Sequence, residues 1–202
     1  SDWEEHFRGG GSPPDRLAPR RGAWDLPEEF HYGAFVAERT IAAIDDARAQ
    51  GRPFFAWASF ADPHPPYLVP EPWASLYDPD AMEPGVRVPG ELERMPPQHL
   101  RTQEERPDFS PWRETPWANH GFHSHRMDPD RQRENVALYC GMISLMDAQI
   151  GRVLNHLDAV GAAEETLVVF TTDHGHFLGQ HGLWHKGAFL YEDLIRLPFL
   201  VR

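Results

Sequence analysis

Two short apolar runs without polar alternation constrain this chain most: Pro53-Phe54-Phe55-Ala56-Trp57-Ala58-Ser59-Phe60 and Glu165-Thr166-Leu167-Val168-Val169-Phe170-Thr171-Thr172. A strand with one wet face alternates apolar and polar residues, whereas a strand covered on both faces does not. Each run comes after a segment of helical period. Phe35, Val36, Thr40, Ile41 and Ile44 recur at three- and four-residue steps between about Tyr32 and Gly51. Val136, Tyr139, Cys140, Ile143, Met146, Ile150, Val153, Leu154 and Leu157 mark one face of a second helix that ends by Gly161, with Asp128 as its cap and Pro129 in its first turn. Helix, strand, loop, helix, strand in this order predicts an α/β domain: a mainly parallel sheet flanked by helices.

In such sheets ligands gather beyond the carboxyl ends of the strands. Both runs end there in polar clusters, Asp62-Pro63-His64-Pro65-Pro66 and Asp173-His174-Gly175-His176. Asp173 and His174 offer a carboxylate and an imidazole from adjacent residues, a pair that suits Ca²⁺, Mg²⁺ or Mn²⁺, with histidine widening the choice toward transition metals. The same two residues also fit a plain turn in which the aspartate side chain caps the succeeding backbone N–H groups. The stretch Gly175 to Gly187 holds four glycines, three histidines and Lys186. Glycine lets backbone approach a ligand closely, and Lys186 offers a compact positive charge for an oxyanion. His64, fixed between prolines, either binds an anion and passes a proton to a leaving oxygen or is satisfied by a carbonyl of its own turn.

Residues 63–130 carry 14 of the 20 prolines with Trp73, Trp112 and Trp117 and no sustained period. The part from 68 to 130 reads as a long irregular loop region on the substrate side, where the tryptophans are candidates for stacking on a sugar or aryl group. His120, His123 and His125 lack a carboxylate or thiol at metal-site spacing and read as a solvated loop. Asp147 reads as a structural partner and the Tyr139 and Met146 stripe as core. Residues 1–30, with Gly9-Gly10-Gly11 and Pro13-Pro14, read as an irregular surface segment.

A formal charge of −12, from 19 basic and 31 acidic residues, argues against nucleic acid as a partner. An anionic substrate then needs a local cation or a bound metal. Cys140 is the only cysteine, so the chain has no internal disulfide framework. No apolar run approaches the ~20 residues that span a bilayer, which leaves a soluble protein, periplasmic or secreted if a signal lies upstream. The chain opens Ser1-Asp2 and stops at Leu200-Val201-Arg202 after an apolar run, and reads as an incomplete fragment.

The stretch from Thr172-Asp173-His174-Gly175 through Gly179-Gln180-His181-Gly182-Leu183-Trp184-His185-Lys186-Gly187, with Tyr191-Glu192-Asp193-Leu194-Ile195-Arg196-Leu197-Pro198-Phe199 after it, resembles the sulfatase family of the alkaline-phosphatase-like superfamily. Phe54 to Tyr67 resembles that family's other internal motif. The resemblance covers about Tyr32 to Arg202 and implies part of a catalytic domain over 1–202. It implies a divalent cation, usually calcium, ligated partly by Asp173 and His174; many relatives carry Asn at the second position. It places Lys186 at the sulfate-binding lysine and His64 at the histidine near the sulfate and the leaving-group oxygen. His185 has no counterpart in the motif and is taken as a substrate contact.

The family's nucleophile is a formylglycine made in a Cys/Ser-x-Pro-x-Arg motif, which this sequence lacks; Cys140 precedes Gly141-Met142-Ile143. The resemblance therefore implies a formylglycine upstream, which attacks sulfur while metal and Lys186 hold the equatorial oxygens. It implies hydrolysis of sulfate esters of a small molecule or glycan, with this chain inactive alone. The alternatives are a phosphonate or phosphate ester hydrolase of the same superfamily and a non-catalytic anion- or glycan-binding homologue.

Overall fold

The computed structural model describes residues 21–104, 127–187 and 189–202. His120, His123, His125, Trp112, Trp117 and the glycine and proline clusters before Arg21 lie outside them. The chain divides into two compact units, Ser1–Pro79 with Ala137–Leu167 and Asp80–Val136 with Val168–Arg202.

In the first unit, β1 (Arg21–Ala23) pairs in parallel with β2 (Tyr67–Val69), and Trp24 N extends the ladder to Val69 O at 2.8 Å. Strand β2 is wholly buried. Helix α1 (Tyr32–Ala49) has the bounds its periodicity predicts. It starts at His31, whose side chain accepts from Gly33 N, and it buries Val36 and Ile44. Phe35, expected in the same stripe, is 55% exposed.

Helix α3 (Pro129–Ala159) also matches its predicted span; α2 (Pro97–Arg101) precedes it. Asp128 Oδ1 accepts from Asp130 N at 2.9 Å and Arg131 N at 3.3 Å, the cap that its position announced. The buried face of α3 differs from the expected one by about one residue around the helix: Leu138, Met142, Leu145 and Gln149 are buried, whereas Ile143 is 40% exposed. Two contacts explain this rotation. Gly141 faces the Trp73 carbonyl with no room for a Cβ, and Gln149 donates to Glu28 Oε1 at 2.8 Å. A buried amide is tolerated in a core when its polar atoms find partners, as those of Gln149 do. Arg48 donates to Val160 O at 2.6 Å and His156 meets Asp45 at 2.7 Å, tying α1 to the end of α3. Asp147 is exposed.

The run Pro53–Phe60 departs from its expected form. It is extended, but no strand among the described residues pairs with it, and Phe55 and Trp57 are 89% and 81% exposed. With Phe35 and Arg39 of α1 these residues line an open groove of 560 Å³. An apolar run states that a segment needs cover; it does not supply the segment that covers it.

In the second unit, β3 (Val169–Thr171) is antiparallel to β6 (Phe199–Val201). The residues around this ladder are exposed, Leu167 at 75% and Phe199 at 69%, so the expected double cover of this run is also absent among the described residues. Strands β4 (Phe177–Leu178) and β5 (Trp184–His185) form an antiparallel pair. Phe177, Leu183 and Phe189 pack with Leu194 of α4 (Glu192–Ile195) into a small core, with Tyr191 against it. The α/β character stands; of the described ladders one is parallel and two are antiparallel, rather than mainly parallel. The 68–130 region, where described, is a series of short turns at Trp73–Ser75, Pro79–Ala81 and Leu92–Arg94 together with α2. No described helix is long and apolar enough to cross a membrane.

Candidate functional site

The turn after β3 brings Asp173, His174 and Lys186 together within the second unit. His174 Nδ1 lies 2.7 Å from Gly175 O. A carbonyl only accepts, so Nδ1 carries the proton and Nε2 the lone pair. That lone pair meets Lys186 Nζ at 3.1 Å and stands 3.6 Å from Asp173 Oδ2. His174 N donates to Asp173 Oδ1 at 2.8 Å, fixing the carboxylate beside the ring. Desolvation pushes the Asp173 carboxyl up, but His174, backbone N–H groups and Lys186 together hold it below the usual carboxylate range. The carboxylate remains ionised and 82% exposed.

Close backbone packing holds this turn. Gly175 N donates to Leu194 O at 2.9 Å, and a Cβ at Gly175 would overlap the Asp193 carbonyl. Glycine is required here by proximity to neighbouring backbone, whereas the close approach expected of the loop's glycines is to a ligand.

The donor set fits a divalent cation in part. An ionised carboxylate and a neutral imidazole nitrogen both present lone pairs, the forms that ligate metals. No group of three or more His, Cys, Asp or Glu able to hold a metal exists among the described residues, so Asp173 and His174 are a partial set for a cation that takes six or more ligands.

His185 adjoins Lys186 in a left-handed conformation (φ 66°) and is 8% exposed, with the His176 ring edge-on at 5.4 Å. His64 belongs to the first unit. It is exposed, and its Nδ1 donates to Pro65 O at 2.7 Å, which again puts the lone pair on Nε2. Trp73 donates to Glu28 Oε2 at 2.9 Å and anchors its own unit.

Sequence reasoning passed over two histidines with buried or bridged environments. His31 is fully buried, bonds Leu68 O at 3.3 Å, and lies 3.7 Å from Asp62. Asp62 is 6% exposed, its Oδ2 has no hydrogen-bond partner, and burial pushes its carboxyl up to about 7. His181 bridges Glu91 and Asp193. No short-range spacing announces either arrangement.

The profile of the family described as Sulfatase matches residues 5–202. The multifunctional alkaline phosphatase superfamily protein PehA of Trinickia caryophylli is 30% identical over 181 residues, covering 88% of this chain and 33% of that protein. The iduronate 2-sulfatase of Mus musculus is 29% identical over 179 residues, covering 88% and 31%. Among solved structures, the phosphonate monoester hydrolase of Silicibacter pomeroyi superposes with a TM-score of 0.65 at 26% identity, over 100% of this chain and 41% of that one. The chain thus spans about a third of the length of these two curated relatives.

Proposed function

We propose, since the chain belongs to the sulfatase family, that it forms part of a metal-assisted hydrolase of sulfate esters. The observation that carries the reading is the meeting of Lys186, His174 and Asp173 in one turn: a cation beside a partial metal-ligand set. Asp173 and His174 would hold a divalent cation, calcium first and Mg²⁺ or Mn²⁺ next, which when bound supplies positive charge to the anion's oxygens. Lys186 binds and orients one of those oxygens as a point charge. The role that the family resemblance gives His64, proton transfer at the departing alcohol oxygen, belongs to the same proposal. His185 contributes a ring edge to the substrate, a role its burial confines to its small exposed part. A formylglycine supplied from outside these residues completes the reaction, and the chain alone does not turn over. The mainly parallel sheet belongs to the same proposal for the whole protein, as does a sulfated small molecule or glycan as substrate.

A second reading has its own support. Relatives include a multifunctional superfamily member and a phosphonate monoester hydrolase of similar fold, and a lysine beside a metal pair suits phosphoryl oxygens equally. Steady-state kinetics of the full-length protein on matched aryl sulfate and aryl phosphonate or phosphate esters separate the two. A kcat/KM for the sulfate ester at or below that for the phosphorus esters sinks the sulfatase reading. Absence of turnover on all of them favours an anion-binding role.

A further inference from the structure

His181 is a side chain to which ester hydrolysis gives no task, yet two carboxylates and a stacked ring hold it. It sits in the turn between β4 and β5 with a left-handed backbone (φ 58°, ψ 16°), a conformation uncommon outside glycine, though histidine is among the side chains that adopt it more readily. Its Nδ1 lies 3.0 Å from Glu91 Oε2 and its Nε2 3.2 Å from Asp193 Oδ2. The ring stacks on Tyr191 at 3.8 Å with 9° between planes, and the Tyr191 hydroxyl meets His99 Nδ1 at 3.1 Å. Glu91, 90 residues away, and the Tyr191 and Asp193 pair therefore converge on one imidazole.

One carboxylate partner leads back to the site, and the other belongs to a segment fastened to the His181 turn. The Asp193 carbonyl packs on Gly175, whose own carbonyl accepts the hydrogen bond from His174 Nδ1. From the other side, the His181 turn returns through β5 directly into Lys186. Gly85 N to Leu178 O at 2.9 Å and His181 N to Val86 O at 3.1 Å fasten the same turn to the segment that ends in Glu91.

We propose that His181, bridged between Glu91 and Asp193, is a positioning residue that sets the separation of Lys186 from the Asp173 and His174 pair. This rests on the reading of that pair and Lys186 as the anion and metal site. A misplacement of about 1 Å at a reacting centre costs on the order of 10²-fold in rate, so losing the bridge lowers kcat without removing any group that touches substrate.

The test compares Glu91→Gln, Asp193→Asn, the double variant and His181→Asn in the full-length protein; asparagine tolerates the left-handed backbone. Selective ¹⁵N labelling of histidine reads the His174 ring nitrogens, and kinetics on the preferred ester read kcat and KM. The expected result is a changed His174 Nε2 shift in every variant, kcat lower by roughly tenfold to 10²-fold, and a double variant no worse than His181→Asn, since both carboxylates act through one ring. His174 shifts identical to wild type overturn the proposal, whether or not the protein hydrolyses anything. So do losses of the two carboxylates that multiply, or a lower Tm with kcat per folded molecule unchanged. A wild-type protein inert on sulfate and phosphorus esters, with the His174 shifts responding as expected, removes the hydrolase reading alone.

Discussion

Lys186 Nζ stands 3.1 Å from His174 Nε2, while the opposite nitrogen of the same ring is engaged by the Gly175 carbonyl 2.7 Å away. The lysine thus donates to a neutral imidazole next to an ionised Asp173. On the proposed reading of this turn, that positive charge would exchange its histidine partner for an oxyanion, and the freed lone pair would be available to a divalent cation.

Replacing that charge tests the arrangement. Lys186→Met is expected to lower kcat/KM on the preferred ester by roughly 10² to 10³ and to abolish competitive inhibition by inorganic sulfate. Lys186→Arg restores only part, because a planar fork does not replace a compact ammonium. Steady-state kinetics with added sulfate give both readouts. A loss below tenfold in Lys186→Met removes the residue from contact with the anion.

Asp62 predicts a pH dependence of stability with a definite sign. Its carboxyl is buried against Gly33 and His31, and burial raises it to about 7 from its ordinary 3.8. Between those values the folded state holds a proton that the unfolded state has lost, so this group's contribution falls as pH rises from about 4 to about 7. His31 runs the other way: burial lowers it, so its contribution falls as pH drops below 6.5. Asp62→Asn is expected to flatten the fall between about pH 4 and 7 and to raise Tm at pH 8 relative to wild type, an effect of a few kcal/mol at roughly 1.4 kcal/mol per pH unit. Urea unfolding of both proteins from pH 4 to 8 reads it. Parallel stability curves for the two would show that Asp62 is not carrying a buried proton.

The helices and the grouping of Asp173, His174 and Lys186 in one turn are legible from sequence, and the parts that are not have physical causes. The bounds of α1 and α3 follow from period and caps because those signals are local: Asp128 bonds residues two and three positions on. The Asp173, His174 and Lys186 grouping was legible for the same reason, since all three lie in one loop. The face of α3 was misplaced because Gln149 is buried by a bond to Glu28, 121 residues away, which no periodicity records. Local spacing does not reveal the setting of His181, because one of its partners, Glu91, is 90 residues distant. The runs at 53–60 and 165–172 have the composition of covered strands, yet pattern alone does not say what covers them, and among the described residues Phe55, Trp57 and Phe199 remain exposed.

The cap on α3 gives a test of local encoding. Asp128→Ala removes the acceptor for two N–H groups of the first turn and is expected to cost about 1 kcal/mol. Asp128→Asn keeps an acceptor and is expected to lose less than half of that. Denaturant midpoints at constant m-value measure the difference. Equal losses in both variants would assign the effect to charge near the helix N-terminus and not to the capping bond.

On the proposed reading, His174 is also where the choice of metal would be decided. Asn at this position, as the family resemblance describes for many relatives, offers an oxygen, which suits hard cations such as calcium; the imidazole nitrogen of His174 favours Mn²⁺ and later transition metals more strongly. If Nε2 is a ligand, His174→Asn shifts the ratio of Mn²⁺ to Ca²⁺ affinity toward calcium by about tenfold, or ~1.4 kcal/mol. Asp173→Asn, by contrast, weakens both metals together, because it removes a carboxylate charge that each of them uses. Calorimetric titration of metal-stripped full-length protein with each cation separates these outcomes without any assay of turnover. An affinity ratio unchanged in His174→Asn would leave the ring as a partner of Lys186 only, and the Asp173 carboxylate as this turn's sole contribution to the metal.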